Sequence, residues 1–498
     1  MAIKVVFLVC FFLVMIVVGI LARKRATNVD DFVLGGRAVG PWLTAFAYGT
    51  SYFSAVVFVG YAGQFGWKYG IASTWIGIGN AIIGSLLAWV ILGGRTRVMT
   101  NHLKSSTMPD FFGSRFDSKG LKIMASAISF VFLVPYTASV YNGLSRLFEM
   151  AFNVPYTVCV IVMAGLTGLY VIMGGYVATA INDFIQGIIM LFGIVAIIVA
   201  VLNSQGGFVS AIREMAEIES DVAITLGQKG AFTSFFGPDP INLLGVVILT
   251  SLGTWGLPQM VHKFYTIKDE KSIKAGTIIS TIFALVIAGG CYFLGGFGRL
   301  FDGAAIYNKN GKIIYDAIVP YMLSNLSDVL IGIVVILVLS ASMSTLSSLV
   351  LTSSSTLTLD FIKGTIYKDM SEKKQLGVMR VFIVFFIVVS VILALDPPAF
   401  IAQLMGISWG ALAGSFLAPF LYGLYWKGVT KAAVWASFIS GVGITTSNMI
   451  FGYIDSPINA GAVAMVAGLV IVPIVSIFTP RVKKEKIEEI FACYDESK

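Results

Sequence analysis

The stretch MSTLSSLVLTSSSTLTLD, residues 343–360, directly follows the apolar run VLIGIVVILVLSAS. Hydrocarbon offers its hydroxyls no partner, so something else must. On a helix turning about 100° per residue, Ser344, Ser347 and Ser348 fall within an arc of about 100°, with Thr345 at its flank. A serine in a membrane helix ordinarily donates back to a carbonyl one turn earlier, which explains one or two of these hydroxyls better than a cluster. Neutral oxygens held together in a dry site also suit a hard, weakly polarising cation. Sodium fits, with unwound backbone carbonyls supplying the remaining oxygens. A carboxylate, Asp183 in GGYVATAINDFIQGIIMLFG, stands near the start of an apolar segment. An ionised Asp at the bilayer centre costs about 2.5–3.5 kcal/mol. It therefore either snorkels or caps at the helix start, or serves sodium as a ligand or relay.

The elements that must position these residues are membrane helices. The 498-residue chain is 57% hydrophobic and 12% charged, against about 25% charged in soluble domains. Apolar runs long enough to span about 30 Å of hydrocarbon recur throughout. The expected fold is all-α and polytopic, with about thirteen spans at 3–22, 40–63, 71–93, 122–147, 155–175, 180–202, 241–262, 275–298, 326–360, 378–396, 398–426, 430–452 and 459–479. The first lacks a basic n-region and a clean cleavage site, so it reads as a retained helix rather than a signal peptide. The longer connections, 203–240 and 299–325, read as polar surface loops with short helices.

Charge placement tests the count. With the N-terminus outside, the inner loops collect Arg23, Lys24, Arg25, Arg37, Arg95, Arg97, Lys104, Arg115, Lys119, Lys263, Lys268, Lys271, Lys274, Lys363, Lys368, Lys373, Lys374, Lys427, Lys431 and the tail RVKKEK. The outer loops hold only Lys68, Arg213, Lys229, Arg299, Lys309 and Lys312. This asymmetry predicts an odd number of spans and a cytoplasmic C-terminus in the plasma membrane. It also places the net charge of +8 without invoking nucleic acid. Cys10, Cys159, Cys291 and Cys493 are scattered without metal-ligand spacing, and no nucleotide loop, HExxH or GxSxG occurs. An enzyme is not expected.

Two spans carry breaks. FAYGTSYFSAVVFVGYAG sets Gly49 at mid-membrane, and TSLGTWGLPQMVHKF brings Gly253, Gly256 and Pro258 together. Glycine lowers the cost of unwinding and proline removes a backbone donor, while bare backbone at membrane depth survives only where it lines a cavity or site. The two breaks open consecutive five-helix groups, the arrangement expected of inverted-repeat transporters.

Together, DDFVLGGRAVGPWLTAFA (31–48), GGYVATAINDFIQG (174–187), GLPQMVHKF (256–264), MSTLSS (343–348) and GLYWKG (423–428) resemble the sodium:solute symporter family, in particular its proline and pantothenate branches. The resemblance covers nearly the whole chain. It implies one membrane domain over 1–480 with a LeuT-type core of two inverted five-helix repeats (about 40–202 and 241–426). One extra helix precedes the core and two follow it (430–479), before a basic-then-acidic tail, 481–498. It implies a first sodium site of the Thr50, Phe53 and Ala341 carbonyls with the Ser344 and Thr345 hydroxyls. It implies a second from Ser344, Ser347, Ser348 and Asp183. The implied substrate contacts are Tyr52, Ser54, Tyr136, Asn142, Thr254, Trp255, Gln403 and Trp409. The proline type carries an Asp where this chain has Tyr52, while the pantothenate type has Tyr there, and the arginine that the sialic acid type uses for its carboxylate is missing. The implied activity is sodium-coupled import of a small solute, an amino acid such as proline or a carboxylate such as pantothenate, by a monomer in the bilayer. A channel or a membrane sensor on the same fold is the alternative.

Overall fold

The computed structural model describes residues 2–22, 28–396 and 400–495. Arg23, Lys24 and Arg25 of the first expected inner loop, and residues 496–498 of the expected tail, lie outside the described residues. The described chain is helical throughout, its β pairing limited to isolated bridges between Val39 and Ile267 and between Tyr307 and Ile313. Ten helices among the described residues are long and apolar enough to cross a membrane, or eleven if Pro240–Trp255 and Pro258–Thr266, bent by 41°, form one span.

Two long helical runs conceal reversals. In Val56–His102 the chain turns at Gly70, whose φ of +61° suits glycine and whose absent Cβ admits Phe232. In Tyr156–Ser204 the turn is Gly175, with φ +55°. Leu337 packs on Gly193 and Met343 on Thr167. The first two contact points lie about 9 Å apart along one helix, whereas 167 and 193 would be about 39 Å apart if unbent. The chain therefore doubles back between them, and expected spans five and six are two arms of one hairpin.

The first break is not where the sequence places it. Gly49 stays helical inside Pro41–Tyr52, and its missing side chain admits the Phe283 ring. The helix opens four residues later, at Phe53 (φ −111°, ψ 104°). There the Ser54 hydroxyl accepts the Val56 N–H at 3.2 Å and Ser342 Oγ accepts the Ala55 N–H at 3.3 Å. Glycine at 49 thus serves close packing rather than unwinding. The second break matches its residues. Gly253–Trp255 form a tight turn, Leu257 is extended (φ −85°, ψ 121°), and Pro258 opens the next helix, where no backbone donor is needed. That helix runs to Thr266, so Lys263, expected in an inner loop, is a buried helical residue. The run MVHKFYT contains no breaker that would end the helix at 262.

Helix Glu270–Gly295 packs along both arms of the Gly70 turn through small residues: Gly66 against the Gly295 carbonyl, and Gly77 against Gly289. Gly66→Val should lower the detergent melting temperature by the equivalent of about 1–3 kcal/mol, read by differential scanning fluorimetry. An unchanged melting temperature would mean that this helix contact does not hold the bundle.

Candidate functional site

The break at Phe53 lies against helix Asp328–Ser355. Ser344 Oγ donates to the Thr50 carbonyl at 2.9 Å and to the Ala341 carbonyl at 3.1 Å. Thr345 Oγ1 reaches the Thr50, Ser51 and Ala341 carbonyls at 3.3, 3.4 and 3.0 Å. All of these residues are fully buried. Four of the five expected first-site oxygens thus form one cluster. The carbonyl of Phe53, at the break itself, has no recorded bond to the helix. Two hydroxyls sharing two carbonyls have rotatable protons and spare lone pairs, so they can turn from donating to carbonyls to accepting a cation. Among the described residues no three His, Cys, Asp or Glu gather.

The second expected set is arranged differently. Ser347 Oγ donates to the Ser344 carbonyl at 2.8 Å, the ordinary back-bond. Ser348 Oγ lies 2.8 Å from Ser51 Oγ and accepts from Lys263 Nζ at 2.9 Å. Asp183 is fully buried and neither carboxylate oxygen has a hydrogen-bond partner. Sequence reasoning missed both Lys263 and Ser51. A basic residue directly after an apolar run reads as a loop anchor, and only the fold turns it inward.

The aromatic candidates converge between the two breaks. Tyr52 donates its hydroxyl to the Thr250 carbonyl at 2.5 Å, tying one broken helix to the other. Its ring stacks on Trp409 at 6.0 Å, and Tyr136 meets the same indole edge-on at 5.9 Å. Gly253 at the second break packs against the other part of that indole. Asn142 Oδ1 is buried without a partner, a polar group that a bound solute or water would satisfy, and the Tyr136 hydroxyl and Trp409 N–H lie near each other. Ser54 spends its oxygen on the break. Thr254 donates to the Gly84 carbonyl at 3.1 Å and Trp255 to the Ile83 carbonyl at 3.0 Å, so these two fasten the second break to its neighbour. Gln403, about 9 Å from Trp409 along the helix, stands apart. It lines a cavity of about 460 Å³ with Gln64, Lys68, Asp239, Asn242 and Asn459.

The sequence profile described as Sodium:solute symporter family matches residues 32–441. The chain belongs to the sodium:solute symporter family. Members of this family are transporters, not enzymes. The chain is 27% identical over 485 residues to the osmoregulated proline transporter OpuE of Bacillus subtilis (strain 168), covering 95% of this chain and 94% of that one. It is 30% identical over 458 residues to a sodium/proline symporter of Staphylococcus aureus (strain JH9), covering 86% and 83%. The structure superposes on a substrate-bound, outward-open Na+-coupled sialic acid symporter with TM-score 0.79 at 17% identity, covering 97% of this chain and 98% of that one. It superposes on Mhp1, a nucleobase-cation-symport-1 family transporter, in a closed conformation with TM-score 0.52 at 12% identity, covering 92% and 97%. At these identities the likeness shows the fold alone, that of LeuT-type transporters.

In this symporter the end of the bundle opposite the cavity is latched. Arg37 donates to the Ser105 carbonyl at 2.6 Å and the Tyr265 carbonyl at 3.2 Å, and Arg97 to the Ile267 and Lys268 carbonyls at 3.1 and 2.7 Å. Lys122 pairs with Asp110 at 2.7 Å and Asp360 at 3.3 Å. The Arg37 and Arg97 bonds tie the far end of the second broken helix to its neighbours, and Lys122 joins three further segments at that end. Tyr52→Phe would leave the Thr250 carbonyl without its hydroxyl donor and should cost about 1–3 kcal/mol of stability, read as an earlier thermal transition. A transition at the wild-type temperature would mean that the two breaks are not held through this bond.

Proposed function

We propose that this family member is a sodium-coupled secondary active symporter for a small organic solute. The observation carrying the reading is the oxygen cluster of Thr50, Ala341, Ser344 and Thr345 across a helix break. Sodium enters as co-substrate, not as a resident cofactor. Bound there, with the Phe53 carbonyl completing the set, it would link the first broken helix to helix Asp328–Ser355. Through Tyr52 the first broken helix is fastened to the helix that leads into the second break, so sodium binding and the order of the solute pocket favour the same state. Each ligand then raises the other's affinity by the same factor. An inward-negative potential adds about 2.3 kcal/mol per charge per 100 mV.

The solute pocket is bounded by Tyr52, Tyr136, Asn142 and Trp409, uncharged groups that offer hydrogen-bond donors on aromatic faces. They suit a small zwitterion or acid with an apolar body. Proline is the first candidate, since both quoted relatives are named for it, and pantothenate-like carboxylates are the second. Gln403, on the cavity wall, would meet the solute on its way in. The reading includes thirteen spans, two inverted five-helix repeats, a plasma-membrane location and an outside N-terminus. The cavity then faces outward and the Arg37, Arg97 and Lys122 latches close the cytoplasmic end. A channel would need a continuous polar path, which the latched end opposes.

In proteoliposomes, an inward sodium gradient should drive uptake of labelled proline or pantothenate. Ser344→Ala should raise the sodium concentration for half-maximal uptake by about tenfold, equivalent to about 1.4 kcal/mol. Sodium-driven uptake that Ser344→Ala leaves unchanged would overturn the site. For orientation, Lys309→Cys should react with an impermeant maleimide in intact cells and Lys368→Cys only after permeabilisation, both in a Cys10→Ser background. The reverse pattern would invert the topology.

A further inference from the structure

Three buried features fall outside the first cation cluster and the aromatic pocket: Asp183 with two bare carboxylate oxygens, the Ser51–Ser348 hydroxyl pair, and Lys263. The structure brings them into one place. Lys263 Nζ donates to Ser348 Oγ at 2.9 Å, and that oxygen lies 2.8 Å from Ser51 Oγ. The ammonium also lies 5.2 Å from the centre of the Tyr176 ring, a cation–π distance, and Asp183 follows Tyr176 by about two turns on the same helix. Of the expected second sodium site, Ser344, Ser347, Ser348 and Asp183, the Ser348 oxygen is therefore already paired with a basic group supplied by the chain.

We infer that Lys263 is the resident cation of this second position, so that the protein binds a single sodium ion, at the Thr50–Ser344–Thr345 cluster. The inference rests on the sodium reading above and specifies its stoichiometry. Its physical basis is charge balance. The expected set holds one carboxylate, Asp183, which is buried, and it can neutralise one cation. A sodium ion added beside the ammonium would leave two positive charges against one negative in a site without water contact, where like charges repel most strongly. One of the oxygens a second sodium would need is also engaged, since Ser348 accepts from the ammonium. The tether matters as well. Lys263 belongs to the second broken helix and Ser348 to helix Asp328–Ser355, so the ammonium ties the second broken helix to the same helix that sodium would tie to the first. Unlike sodium, it cannot dissociate, and it adds nothing to the driving force.

The test is equilibrium binding of radioactive sodium alone to purified protein, independent of any solute. Wild type should bind one sodium per chain with a Hill coefficient near one, and Lys263→Arg, which keeps the charge, should do the same. Lys263→Gln, which frees Asp183 and Ser348, should bind two. Two sodium ions bound to the wild type would overturn the inference while leaving the symporter reading intact. One sodium bound to a folded Lys263→Gln, its fold checked by its melting transition, would also overturn it. Were that variant to unfold, the wild-type count would still decide. No sodium binding to the wild type would overturn both this inference and the sodium reading on which it rests.

Discussion

The Thr50 carbonyl is the atom on which the rest of the site depends. A helix that ran on past Tyr52 would direct its carbonyls at its own amides. The extended residue Phe53 releases them, and two hydroxyls from a different helix converge on the nearest one. At membrane depth a bare carbonyl persists only with such a partner or with an ion. This constraint couples the helix break to the serine-rich helix: neither the unwound segment nor the hydroxyl cluster is tolerable in hydrocarbon without the other.

From that join the pocket is built outward by aromatic and small residues. Tyr52, one residue before the break, spans to Thr250 on the second broken helix. Its ring and that of Tyr136 hold Trp409, against which the glycine at the second break packs. Both breaks therefore contact a single indole, and a change at either reaches the same wall of the pocket. The asymmetry between the two ends follows a similar economy. At one end Arg37 and Arg97 bind backbone carbonyls of the neighbouring segments, while the other end, where Arg299 binds the Trp67 carbonyl, keeps a cavity lined by Gln64, Lys68, Asp239 and Asn459.

Much of this was legible before the fold. Apolar length marked the helices, and Gly253, Gly256 and Pro258 marked the second break because proline at a helix start is a local, chain-encoded signal. The hydroxyl cluster was visible from spacing along one helix. What sequence could not place were features decided by neighbours distant in the chain. Gly49 looked like a hinge and is a docking notch for Phe283. Thr254 and Trp255, expected as solute contacts, also fasten to carbonyls of Gly84 and Ile83, which sequence does not show. Lys263 looked like a loop anchor, because a lysine after an apolar run is usually one, and its burial depends on Ser348 and Tyr176, on two other helices. The hairpins at Gly70 and Gly175 were foreseen as span boundaries.

The central claim is that sodium joins the unwound segment after Thr50 to helix Asp328–Ser355. Hydrogen–deuterium exchange on the purified protein, in sodium against equal potassium, tests it most directly. The account predicts slower exchange in sodium at the backbone amides of residues 53–57 and 341–348 together, with little change in helix Lys431–Phe451. Identical exchange in the two salts at both segments, in protein that still carries out sodium-driven uptake, would contradict it.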